Sequence, residues 1–212
     1  MANLITSIRF VLLFILVAMA YLAPPQWQLV NPVLLLVIIA LDGLDGYVAR
    51  KRGESSAFGS AYDIAVDRVV ENVLWIVLAD LELVPIWVSL VFITRGILVD
   101  TIRAQGMQEG KTAFEMMRSP LGRFLVSGRF MRGFYGAVKA VTFAWVLLFQ
   151  PIPTLYPEFW SQWADVVNTV THVLVYVSVA VCLIRGVPVV WEFYAYEMRE
   201  QRRRLKGVEG NR

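Results

Sequence analysis

The first apolar run, MANLITSIRFVLLFILVAMAYLA from Met1 to Ala23, already limits the folds open to this chain. About 20 consecutive apolar residues match the hydrocarbon thickness of a bilayer. Further blocks of similar length follow, and 58% of the 212 residues are hydrophobic. Backbone polar groups in lipid must be satisfied within their own segment, so such blocks imply helices. Spans are expected at 3–22, 28–50, 57–79, 85–103, 131–149 and 163–184. The predicted class is an all-α integral membrane protein. Six transmembrane helices form one bundle, a cytoplasmic surface helix is added, and residues 1–212 make one domain. A signal peptide is the alternative reading of the first run. Its start is not a basic n-region, however, and AYLAPPQW is a poor cleavage site, so a retained helix is expected.

The 20 Lys and Arg residues orient this layout. None lies in 23–27, 80–85 or 150–162, whereas they crowd 50–52, 103–132 and 199–212. Cytoplasmic loops carry the excess of Lys and Arg. Both termini are therefore expected inside a cell membrane, with 104–130 as a cytoplasmic connection. The tail, 186–212, includes WEFYAYEMREQRRRLK, in which aromatic and basic residues alternate. That pattern suits a helix lying on anionic lipid, with Pro188 starting the tail. Membrane lipids are the partners this charge distribution implies, and nucleic acid is not expected. The single Cys182 excludes a disulfide framework, and the single His172 argues against a His-rich metal site or a Ser-His-Asp triad.

Against this apolar background the stretch LDGLDGYVARKRGESSAFGSAYDIAVDR, Leu41–Arg68, stands apart. Ionisable residues inside membrane spans are costly and usually functional. Asp42 and Asp45 are three apart and share one helical face; Asp63 and Asp67 are four apart and share another. A Gly- and Ser-containing turn between the pairs folds the chain back and brings the acidic faces together. Converging carboxylates need a positive partner to stay ionised. Oxygen-only ligands favour a hard cation, so Mg2+ or Mn2+ comes first, with Ca2+ also open. Gly46 and Ala49 lie one turn after Asp42 and Asp45, and Gly59 one turn before Asp63, so the acidic faces carry small residues where bulk would block a ligand. Arg50 ends the stripe where a guanidinium could clamp phosphate. The whole reads as a site for a metal-bound phosphate ester.

The pattern Asp42-x2-Asp45-Gly46-x2-Ala49-Arg50-x8-Gly59-x3-Asp63-x3-Asp67 resembles the signature of the CDP-alcohol phosphotransferase family, and all eight signature residues are present. The resemblance implies transfer of a phosphatidyl or similar group from a CDP-linked lipid to an alcohol, with release of CMP. It implies that Asp42, Asp45, Asp63 and Asp67 hold one or two metal ions. Asp45, Gly46, Ala49, Arg50 and Gly59 would meet the nucleotide, and Asp67 would be the catalytic base. It also implies a homodimer. Asn3-x2-Thr6-x2-Arg9 is similar to the start of phosphatidylglycerophosphate synthases within that family; interfacial capping and snorkelling would explain the same three residues.

Arg103, Lys139 and Arg185 are expected near the cytoplasmic ends of spans four, five and six. Three cations at one depth suggest an anionic acceptor, most simply glycerol 3-phosphate. Ordinary positive-inside residues are the competing account of each. Arg95 is deeper in its span, where that account is weaker. The connection 107–132, with its SGRFMR, departs from the phosphatidylglycerophosphate synthase pattern, which leaves inositol phosphate, serine or a phospholipid open as acceptor. Two other classes compete. An intramembrane prenyltransferase also places Asp-rich helix ends around magnesium, but with a different spacing and in larger bundles. A cation transporter would more often show inverted repeats, and no repeat is evident.

Overall fold

A computed structural model of the chain describes residues 2–52, 57–108, 124–125 and 128–209; the side chains of 2–3, 45–52, 57, 60, 106–108, 129, 197 and 199–209 lie outside that description. The described residues are helical almost throughout, as the apolar blocks require. Six long helices are α1 (Ala2–Leu22), α3 (Asn31–Arg52), α4 (Ala57–Asp80), α5 (Ile86–Gln108), α6 (Arg129–Phe149) and α8 (Pro157–Glu209). Two short ones, α2 (Pro25–Gln28) and α7 (Ile152–Leu155), sit in the turns.

Four segments among the described residues are long and apolar enough to cross a membrane: Leu4–Leu22, Pro25–Leu44, Phe130–Leu155 and Pro157–Tyr196. Helices α4 and α5 have span length but carry Asp63, Asp67, Arg68 and Glu71, and Arg95, Asp100 and Arg103, respectively. Large apolar side chains such as Val11, Phe14, Val33, Leu36, Val166, Val173 and Val187 point outward. In water such a surface would drive association; in a bilayer it faces solvent of its own kind. This is a membrane protein with several apolar helices.

The chain divides into two compact units. The first comprises residues 1–90 and 137–178. Here α1 packs against α3 and α4. The buried residues of α1 are Thr6, Arg9, Leu13, Leu16 and Ala20, a single stripe at three- and four-residue spacing. On α4 the stripe Glu71, Leu74, Trp75 and Leu78 is buried, and Trp75 meets the Phe143 ring at 4.6 Å. Buried hydroxyls are satisfied across helices. Ser89 donates to the Trp75 carbonyl at 2.7 Å, and Thr142 and Ser178 share a hydrogen bond of 2.8 Å. Leaving such groups without partners in an apolar interior would cost about 1–3 kcal/mol each.

The second unit comprises residues 91–136 and 179–212. Val99 and Ile102 of α5 pack with Val189 of α8, flanked by Val190 and Phe193. This packing corrects one expectation. Pro188 does not break the last helix, as a tail starting there implied. Helix α8 runs through it for 53 residues. Proline removes one N–H and crowds the preceding turn, which normally kinks or breaks a helix. Here Arg185 and Gly186 before the proline and Val189 after it are all buried. Tertiary contacts on both sides hold the helix across a residue that local preference would use as a stop. The connection expected at 104–130 lies outside the described residues, apart from 104–108, 124–125 and 128–130.

Candidate active site

The acidic cluster is built where the inward stripes of three helices meet. Helix α3 supplies Asp42 and α4 supplies Asp63 and Asp67. One ligand oxygen from each lies within 4.8 Å of the others. The helical repeat places Asp63 and Asp67 on the same face of α4 as Glu71 and Leu74, so the face that packs inward also carries the carboxylates. Three of the four expected metal ligands thus converge. The side chain of Asp45 lies outside the described residues, as do those of Gly46, Ala49 and Arg50, although all four belong to α3. Gly59 is on α4, one turn before Asp63, and partly buried. Ser7 and Tyr62 share a hydrogen bond of 3.2 Å between α1 and α4 beside the cluster.

Helix α1 adds a residue that the sequence did not assign to this site. The Arg9 side chain is only 3% exposed, and its Nη1 lies 2.7 Å from Asp42 Oδ1 and 3.0 Å from Asp63 Oδ1. Its Nη2 donates to Asp67 Oδ1 at 2.6 Å. The three carboxylates are 39–49% exposed. The guanidinium therefore closes the inner side of the cluster, and the open side is left to a ligand. The signal was present in the sequence. Asn3, Thr6 and Arg9 share a face, and continuing that spacing reaches Leu13, Leu16 and Ala20. On an apolar helix, spacing alone does not tell a protein-facing stripe from a lipid-facing one, so Arg9 read equally well as an interfacial residue.

Convergent oxygen donors from rigid helices suit a hard divalent ion such as Mg2+ or Mn2+. One guanidinium against three ionised carboxylates leaves an excess of two negative charges, which one divalent ion would match.

The expected acceptor cations fall in different surroundings. Lys139 belongs to the first unit, where its Nζ lies 2.8 Å from Glu71 Oε1. Arg68 holds the other oxygen, Glu71 Oε2, at 3.0 Å. Glu71 was not singled out in the sequence, yet it continues the Asp63–Asp67 stripe by one turn. Arg103 and Arg185 belong to the second unit. There Arg185 is buried, its Nε donates to the Leu125 carbonyl at 3.3 Å, and Arg95, Arg103 and Arg132 are near enough for their charges to act on it. Two guanidiniums lie over the Tyr135 ring, Arg185 at 5.0 Å and Arg95 at 5.5 Å from its centre. A ring face attracts cations, which offsets part of the cost of burying two like charges together. Gly186 makes room for this arrangement: a Cβ there would come within 2.5 Å of Arg95 Cγ.

Apolar helices carrying an inward cluster of carboxylates define an integral membrane protein with a group of acidic residues that could hold a metal ion. The chain belongs to the CDP-alcohol phosphatidyltransferase family, an enzyme family, which it matches over residues 1–184. It is similar to the archaetidylinositol phosphate synthase of Aeropyrum pernix, 34% identical over 92 residues, covering 42% of this chain and 47% of that one. It is also similar to the CDP-diacylglycerol–glycerol-3-phosphate 3-phosphatidyltransferases of Bacillus subtilis and Pseudomonas fluorescens. The first is 30% identical over 79 residues, 37% of this chain and 41% of the relative. The second is 32% identical over 114 residues, 52% of this chain and 57% of the relative. The matches span about half the length of these relatives.

Proposed function

We propose that this chain transfers a phosphatidyl or similar group from a CDP-linked lipid to the hydroxyl of a phosphorylated alcohol, releasing CMP. The observation that carries this reading is the convergence of Asp42, Asp63 and Asp67 within the segment that matches the family. The lipid tails stay in the bilayer while the CDP head enters the polar end of the helices. Asp42, Asp45 and Asp63 would hold the metal, which when bound would neutralise the pyrophosphate and the charge growing on the departing CMP. Gly46, Ala49 and Gly59 leave room for the nucleotide, and Arg50 contacts its phosphate. The acceptor oxygen attacks the phosphorus next to the lipid, the bond from that phosphorus to the CMP oxygen breaks, and Asp67 takes the hydroxyl proton.

Arg103, Lys139 and Arg185 are the acceptor-phosphate residues of this reading, with glycerol 3-phosphate as the acceptor. The likeness to the Bacillus and Pseudomonas enzymes supports that choice. The likeness to the Aeropyrum enzyme favours inositol phosphate as a second reading, and both acceptors carry the phosphate that buried arginines suit. The test is CMP release from CDP-diacylglycerol by the purified protein against a panel of glycerol 3-phosphate, glycerol, inositol phosphate and serine. Glycerol 3-phosphate should support turnover, and glycerol should not. Preference for serine would refute the acceptor and leave the family reading intact; no release with any acceptor would refute the activity.

The same reading makes residues 1–212 one domain of six spans, with both termini and the site on the cytoplasmic side, working as a homodimer. The distribution of Lys and Arg supports this orientation. Single cysteines at Gln26 and Glu158, both exposed, should react with an impermeant thiol reagent added to intact cells, and one at Ser55 should not. Labelling of the Ser55 position from outside would reverse the layout.

A further inference from the structure

Arg9 is engaged by all three carboxylates of the cluster. Its two terminal nitrogens contact Oδ1 of Asp42, Asp63 and Asp67 at 2.6–3.0 Å, and its Nε is buried without a hydrogen-bond partner. The guanidinium is therefore placed by the carboxylates at the expense of one of its own donors. A buried arginine on an apolar helix is costly unless its partners are well arranged. Its partners, without it, would be three carboxylates repelling one another across two helices.

We propose that Arg9 is the resident cation of the acidic cluster. It gathers Asp42, Asp63 and Asp67 in the metal-free protein, and its charge keeps metal affinity low until an anionic ligand binds together with the ion. Resting on the activity proposed above, that ligand is the pyrophosphate of the CDP-lipid. The argument is electrostatic. A divalent ion entering from the exposed side meets carboxylates already committed through one oxygen to a positive group a few ångströms behind them. Like charges at that distance repel, and the carboxylates that would screen them from each other are already shared with the guanidinium. A pyrophosphate adds the negative charge that lets the ion and the guanidinium remain side by side. Arg9 is thus a positioning residue that makes metal loading conditional on donor binding, and it disfavours a metal-loaded site without substrate.

The experiment is a Mn2+ titration of the detergent-solubilised full chain, reading free Mn2+ by electron paramagnetic resonance, with and without CDP-diacylglycerol. In the absence of lipid, Arg9→Gln should bind Mn2+ on the order of tenfold more tightly than the wild type, because the repelling charge is gone. Added CDP-diacylglycerol should tighten Mn2+ binding in the wild type and do so much less in Arg9→Gln. Affinity in Arg9→Gln equal to or weaker than the wild type overturns the proposal. Should Arg9→Gln fail to fold, Arg9→Met, which fills a similar volume without the charge, reads the same quantity. Its melting temperature in chelator should fall, and Mn2+ should raise it by more than it raises that of the wild type. Equal shifts in the two proteins overturn the proposal. Tighter Mn2+ binding in Arg9→Gln combined with a wild type indifferent to CDP-diacylglycerol removes the donor reading and leaves Arg9 as resident cation.

Discussion

Asp67→Asn is expected to lower turnover by about 100- to 10,000-fold, the usual loss when a general base is removed, while much of the affinity for the CDP-lipid survives. Asp42→Asn is expected to weaken both metal and donor binding. The two residues occupy one cluster, but they enter it differently. Asp42 comes from α3 and meets Arg9 Nη1 at 2.7 Å. Asp67 comes from α4, one turn after Asp63, and accepts from Arg9 Nη2 at 2.6 Å. Asparagine at 67 keeps the size and a polar contact but cannot accept the acceptor's proton. Asparagine at 42 removes one of the charges through which a cation would hold the pyrophosphate. The measurement is paired: CDP-lipid affinity in magnesium, and turnover at saturating acceptor. Equal loss of donor affinity in the two variants would make Asp67 chiefly a metal ligand. Near-normal turnover in Asp67→Asn would exclude it as the base.

The acidic cluster was legible because its signal is local. Spacings of three and four fix which side chains share a helical face whatever the rest of the chain does, so Asp63 and Asp67 had to point the same way. A polar turn after α3 then left little choice but to bring the two faces together. The long helices were legible for the same reason, since the length of an apolar block nearly sets the length of its helix. What was not legible depended on which neighbour a face meets. Arg9 and Leu4 sit on one apolar helix, yet Arg9 is buried and Leu4 is 63% exposed. No pattern within Ala2–Leu22 alone says which face looks at α3 and α4 and which at lipid. Pro188 is the opposite case, a strong local signal overruled by packing around Arg185, Gly186 and Val189. Lys139 was read as one of three equivalent cations, because the carboxylate that holds it, Glu71, lies 68 positions away in the sequence and on another helix.

That pairing leads to the second large effect. Glu71→Leu should destabilise the protein by about 3–5 kcal/mol, the usual result of removing one partner from a buried ion pair. The Glu71 side chain is 10% exposed and that of Lys139 17%, so water reaches neither freely, whereas Arg68 at 29% can turn toward solvent. The loss comes from leaving the Lys139 ammonium in an apolar interior without this carboxylate, more than from the intrinsic strength of the pair. The double variant Glu71→Leu with Lys139→Met should therefore recover most of the stability, since a buried pair replaced by apolar residues of similar size is often neutral or better. Reversible thermal unfolding in one detergent, run on the wild type, both single variants and the double, gives the coupling directly. Additive losses would mean that the contact contributes little and that each residue is held by something else. The cycle also isolates the catalytic question. In the restored double variant, a raised KM for the phosphorylated acceptor with kcat unchanged would assign Lys139 to acceptor binding, because stability no longer accounts for the defect. An unchanged KM would make Lys139 a structural partner of Glu71 and leave the acceptor phosphate to Arg103 and Arg185.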